Sequence, residues 1–94
     1  MSHNNPTECY VMGKYLGQYL SVPDYITFEP VMGATIDEVA RAALLIARHN
    51  QNRVSVVFKD VKMLVPYETW PNTNTNVADV VDDYYEKAWQ QRQR

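Results

Sequence analysis

The chain contains one cysteine, Cys9, in 94 residues, so no disulfide can close within it and a reducing, intracellular site is the expectation. Charge of one sign is also lacking: 9 Lys and Arg against 11 Asp and Glu leave a formal −2. That balance is too weakly basic for a general nucleic-acid binder and too weakly acidic to imitate a phosphate backbone. No apolar run approaches the ~20 residues that span a bilayer. The opening MSHNNPTE has neither the basic start nor the apolar stretch of a signal peptide. A soluble, cytoplasmic protein without membrane contact is expected, and nucleic acid is not an expected partner.

Chemistry-bearing constellations are equally scarce. Of three glycines, Gly13 and Gly17 fall inside a segment that reads as helix, so no phosphate-binding glycine loop is formed. His3 and His49 share no metal-ligand spacing with Cys9, and solvated or structural roles account for both. Cys9 shows no base or oxyanion donor nearby, which favours a half-buried thiol over a nucleophile. Asp79, Asp82 and Asp83 lack EF-hand order and read as a favourably charged helix start. No catalytic residue, metal site or cofactor is expected.

What the sequence does have is aromatic rings: 7 Tyr and 2 Trp. A core built from so short a chain cannot enclose them all, which places some at the surface or in an interface. Hydrophobic content of 46% and charged content of 21% describe a folded globule. A single domain over 1–94 is expected, with 1–5 and 90–94 frayed.

Asn5-Pro6-Thr7-Glu8 resembles a capped helix start, and Met12, Tyr15, Leu16, Tyr19 and Leu20 recur at spacings of three and four. A helix is expected there, ended by Val22-Pro23-Asp24, although a strand over 6–20 remains open because Gly13 and Gly17 lower helix propensity. Tyr25-Ile26-Thr27-Phe28 reads as a short strand, and Pro30 places it at an edge or ends it.

Thr35-Ile36-Asp37-Glu38 opens the clearest helix, with a capping box and an apolar face of Ile36, Val39, Ala40, Ala43, Leu44, Ile46 and Ala47. Leu45 breaks the pattern by projecting among Asp37, Glu38, Arg41 and Arg48, on the face that meets water. RVSVVFKDVKMLV, residues 53–65, then reads as a hairpin about Lys59-Asp60. Pairing Phe58 with Val61, Val56 with Met63 and Val54 with Val65 puts six apolar residues on one face. The opposite face carries Val57 and Leu64 and is half apolar. After a polar connector containing Trp70, Asn76 caps a last helix whose stripe is Val77, Val80, Val81, Tyr84, Tyr85 and Ala88, with Trp89 at its margin. The order α-β-α-β-β-α predicts an α+β fold: a small three-stranded, mainly antiparallel sheet packed with two or three helices.

The run Thr35-Ile36-Asp37-Glu38-Val39-Ala40, followed by Val54-Ser55-Val56-Val57-Phe58-Lys59-Asp60-Val61 and then Tyr84-Tyr85, resembles small accessory proteins of bacteriophages and prophages. Those carry a capped T-I-[DE]-E-V-A helix before a V-x-V-x-F-N-G-V hairpin. Here Lys59-Asp60 stands in place of the Asn-Gly turn. The resemblance implies a viral accessory factor and supplies no active site.

The expected function is therefore non-enzymatic: a phage-type accessory protein, a homo-oligomer, that binds a host protein and inhibits or redirects it, with host defence as one target. Candidate contact residues are Trp70, Trp89, Arg41 and Leu45, aromatics and arginines being the usual hot spots. The alternative is an oligomer that sequesters a nucleotide-like signal molecule. Arg41, Arg48 and Arg53 would hold its phosphate and the rings its base. Solvated arginines beside core and interface rings are the plainer reading of that set.

Overall fold

The structure, a computed structural model, describes residues 6–67 and 76–92. Its best-specified element is helix α1 (Ile36–Asn50). Thr35 enters in an extended conformation, and its Oγ1 accepts the Glu38 backbone N–H at 3.2 Å. The Glu38 carboxylate accepts the Thr35 N–H at 3.0 Å in return. Two otherwise orphaned donors are thereby satisfied. At the other end Gln51 turns into the left-handed region, φ 53°, and its N–H closes on the Ala47 carbonyl. Val39, Ala40, Ala42, Ala43, Leu44, Ile46 and Ala47 are buried. The small side chains among them let the helix lie close to the sheet beneath.

That sheet has five strands in the order β1-β2-β3-β4-β5: β1 (Thr7–Val11), β2 (Lys14–Ser21), β3 (Ile26–Pro30), β4 (Val54–Phe58) and β5 (Val61–Val65). Helix α2 (Val77–Arg92) completes the fold. Neighbouring strands are antiparallel except β3 and β4, which run parallel because α1 carries the chain back between them. The β4–β5 register pairs Phe58 with Val61, Val56 with Met63 and Val54 with Val65, as expected. Both turn residues have positive φ (Lys59 50°, Asp60 68°), the requirement of a type I′ turn. The helix start at Asn76 is also as expected. Its side chain accepts the Asp79 N–H at 3.1 Å, and Asp79 accepts the Asn76 N–H at 3.1 Å.

The first twenty residues differ from the helical expectation. Residues 7–21 form a β-hairpin, so the sheet has five strands rather than three and the helices number two among the described residues. The turn is Met12-Gly13, with φ 53° and 81°, the same I′ geometry as Lys59-Asp60. A bulge follows. Cys9 pairs with Gly17 and Tyr10 with Tyr15, leaving Leu16 as the extra residue, and Leu16 and Gly17 are both buried. The bulge shifts the period-2 alternation by one, and the resulting spacing imitates a helix. Gly17 is required at this point. Its φ is +132°, and a Cβ there would lie 2.1 Å from the Glu29 carbonyl oxygen.

β3 is the central strand, not an edge. Pro30 nonetheless ends it for the reason that made it look like an edge residue. The Ile26 N–H donates to the Arg53 carbonyl at 2.9 Å, so donors toward β4 come from residues 26, 28 and 30, and Pro30 has no N–H. Pairing between β3 and β4 accordingly stops at Phe28 and Val56.

Both helices lie on one side of the sheet. Cys9, Leu16, Ile26, Phe28, Val54, Val56, Phe58, Val61, Met63 and Val65 point into this single core and are buried, as are Val80 and Tyr84 of α2. The Phe58 and Tyr84 rings meet edge to face at 5.5 Å between centroids. Among the described residues no polar or charged side chain is buried.

Candidate functional site

With both helices on one side, the other side of the sheet is uncovered among the described residues. Alternation places Glu8 and Tyr10 of β1 opposite the buried Cys9, and Val57, Lys62 and Leu64 opposite the core residues of β4 and β5. The open face follows the register in rows. One row is Leu20, Thr27, Ser55 and Leu64; the next is Glu8, Gln18 and Glu29, continued one step beyond the last β3–β4 pair by Val57 and Lys62. A third, past the bulge, holds Tyr10 against Tyr15, ring centroids 5.3 Å apart. Tyr10, Val57 and Leu64 are each more than half exposed. The Val57 and Leu64 exposure agrees with the sequence reading. Tyr10, Tyr15 and Leu20 were missed there, because they lie in the hairpin read as helix.

Where β3 and β4 part company the open face is notched. One cavity of about 550 Å³ lies over Thr27, Glu29, Pro30, Ser55 and Val57. A second, about 470 Å³, lies beside it between the β3–α1 loop (Val31 to Ala34) and Phe58-Lys59. Both are shallow; the second is mostly apolar, whereas the first is about evenly polar and apolar.

The helical layer presents a second surface. Leu45 is 47% exposed between Arg41 and Arg48, both exposed, as its angular position on α1 predicted. On α2, Tyr85 is 57% exposed and Trp89, one turn later on the same face, is 60% exposed. Arg53 lies apart from the other two arginines. It lines a cavity of about 340 Å³ with Asp24, Gln51, Asn52, Leu64, Pro66 and Tyr67, and neither Arg41 nor Arg48 is among those walls. Trp70 lies outside the described residues, as does His3.

Electrostatic perturbations are few. A hydrogen bond from Lys14, Nζ to Oε2 at 2.7 Å, is the main reason the Glu38 carboxyl sits below the ordinary glutamate range, with the Thr35 N–H second. This pair ties the β1–β2 turn to the start of α1. The negative charge of Glu8, whose Oε1 accepts from the Tyr10 hydroxyl at 3.4 Å, raises the Tyr10 phenol. Burial pushes the Cys9 thiol up, the direction opposite to that of an activated nucleophile. Asp79 is taken by its cap and Asp83 by Lys87 at 3.1 Å. Among the described residues no group of three or more His, Cys, Asp or Glu could hold a metal ion. Nor, among them, is any helix long and apolar enough to cross a membrane.

The described surface presents apolar area, rings and scattered charges on two opposite layers. Compared with family models, curated proteins and solved structures, the chain matches none.

Proposed function

We propose that the protein is a non-enzymatic, phage-type accessory factor of the host cytoplasm, a homo-oligomer that docks on a host protein through its helical layer and inhibits or redirects it. The observation that carries this reading is the exposed Tyr85–Trp89 pair on α2. Rings of that size cost apolar exposure without filling the core, and Trp, Tyr and Arg dominate binding hot spots. Leu45 and Arg41 on the outer face of α1 add an aliphatic contact and a cation on the same layer. The viral origin rests on the resemblance of the 35–61 run and the Tyr pair.

The second reading, a nucleotide-like ligand, has one observation in its favour: Arg53 and Tyr67 line the same cavity, a guanidinium beside a ring. Asp24 in that wall opposes a phosphate.

The test is affinity capture from the bacterial host with the wild type and with Trp89→Ala, Tyr85→Ala and Arg41→Ala, each checked for thermal stability. A partner held by the wild type should bind Trp89→Ala roughly 30-fold more weakly while the fold stays intact. A partner that binds all three variants at full affinity defeats this map of the surface. Native mass spectrometry of the same preparations reads subunit number, and a retained nucleotide would transfer the conclusion to the second reading.

A further inference from the structure

We propose that a second copy of the chain covers the open sheet face, with β1 of one protomer lying across β5 of its partner. The inference rests on the reading of the protein as a homo-oligomer and assigns the surface and the arrangement. The face is large enough. Five strands about 4.8 Å apart and about five residues long at ~3.4 Å each project roughly 400 Å². Pleating and standing side chains raise the accessible area toward the ~800 Å² per partner of a standard interface. It is also more apolar than a solvated sheet face needs to be, with Tyr10, Val57 and Leu64 each over half exposed.

Charge then selects the occupant. Glu8 on β1 and Lys62 on β5 stand in the same row, at opposite edges of the sheet. The strand order is symmetric about β3. A two-fold axis in the interface plane, running along β3, turns the second sheet over so that β1 faces β5 and β2 faces β4. Because rotation about the strand direction preserves height along the strands, Glu8 meets Lys62 of the other copy twice. By the same rule Leu20 on β2 comes over Ser55 of β4, and Gln18 over Val57. At its charged edges the face is thus complementary to itself, the requirement of an isologous interface. The same axis brings Glu29 of β3 toward its own counterpart, a like-charge contact next to the notch.

Sedimentation equilibrium of wild type and variants tests this. The wild type should be a dimer at tens of micromolar. Val57→Lys should become monomeric while keeping its thermal unfolding transition. E8K and K62E should each dimerise roughly tenfold more weakly, since each turns two attractive contacts repulsive. An equimolar mixture of the two should regain the lost affinity, because each heterodimer contact then pairs a Lys with a Glu. Glu29→Gln should dimerise more tightly than the wild type. A wild type that stays monomeric at 100 µM would overturn both the oligomer reading and this inference. A dimer indifferent to Val57→Lys, a mixture no tighter than its parents, or a weaker Glu29→Gln dimer would overturn the inference alone.

Discussion

Replacing Gly17 by alanine adds one methyl group, and the surroundings of that methyl make it the most damaging small change the sheet can receive. The residue sits on β2 at φ +132°, where a Cβ would lie 2.1 Å from the Glu29 carbonyl oxygen and 2.9 Å from the Pro30 Cα. Both are backbone atoms of the central strand, so no side chain can swing aside. Relief requires β2 and β3 to separate, or the bulge at Leu16 to rearrange. The backbone conformation itself costs about 1–2 kcal/mol for a residue with a Cβ. Forcing the strands apart adds about 1–3 kcal/mol, the range for overpacking. A total of about 2–5 kcal/mol takes away a large share of the 5–15 kcal/mol typical of a domain. Gly13 and Gly33 provide the controls: φ is positive at both, and nothing lies within 4 Å of a Cβ at either. Alanine there should cost only the backbone part, about 1–2 kcal/mol. Urea unfolding of the three variants gives the answer directly. If Gly17→Ala is no less stable than Gly13→Ala, the close approach of β2 to β3 is wrong and with it the placement of the open face.

Three further outcomes follow from particular contacts. Lys59→Asn with Asp60→Gly should stabilise by about 1 kcal/mol, because both native residues occupy the left-handed region; an unchanged or lower melting temperature would show that the Lys59 contact with the Phe58 ring outweighs turn strain. Phe58→Ala should cost about 3–5 kcal/mol, since the ring is buried against Tyr84; a melting temperature near wild type would contradict the core described here. Because Glu38 is held below the ordinary glutamate range, its contribution is present above that range and is lost as pH falls through the lowered folded value. Lys14→Ala, which removes the largest cause, should raise the Glu38 midpoint in an NMR titration; an unmoved midpoint would mean that the Lys14 contact is absent in solution.

How much of this was legible from residues alone depended on whether local and long-range signals agreed. In α1 the cap, the dipole and the apolar period all coincide, and the helix, including the outward Leu45, could be read directly. The 54–65 hairpin was legible despite Lys59-Asp60 because a one-residue slip would have exposed six apolar side chains. Residues 7–21 were not. Leu16 as a bulge places apolar residues at 15, 16, 19 and 20, a helical spacing, and the Met12-Gly13 turn lacks the Asn-Gly signal. Positive φ at Met12 is a tertiary outcome that propensity does not foretell. Losing that hairpin hid half of the open face, since Glu8, Tyr10, Tyr15, Gln18 and Leu20 belong to it. Pro30 was half understood: it ends the ladder, but in mid-sheet.

The central claim is that the uncovered side of the sheet is a contact surface between copies of the chain, and methyl NMR across a dilution series tests it most directly. From about 200 µM to about 2 µM, a range spanning the micromolar dissociation constants of weaker specific complexes, the methyl resonances of Leu20, Val57 and Leu64 should shift together along one binding curve. Those of Val54 and Val56 in the core, and of Leu45 on the helical layer, should stay in place. Open-face methyls that do not move with concentration, or a shift confined to Leu45, would contradict the account.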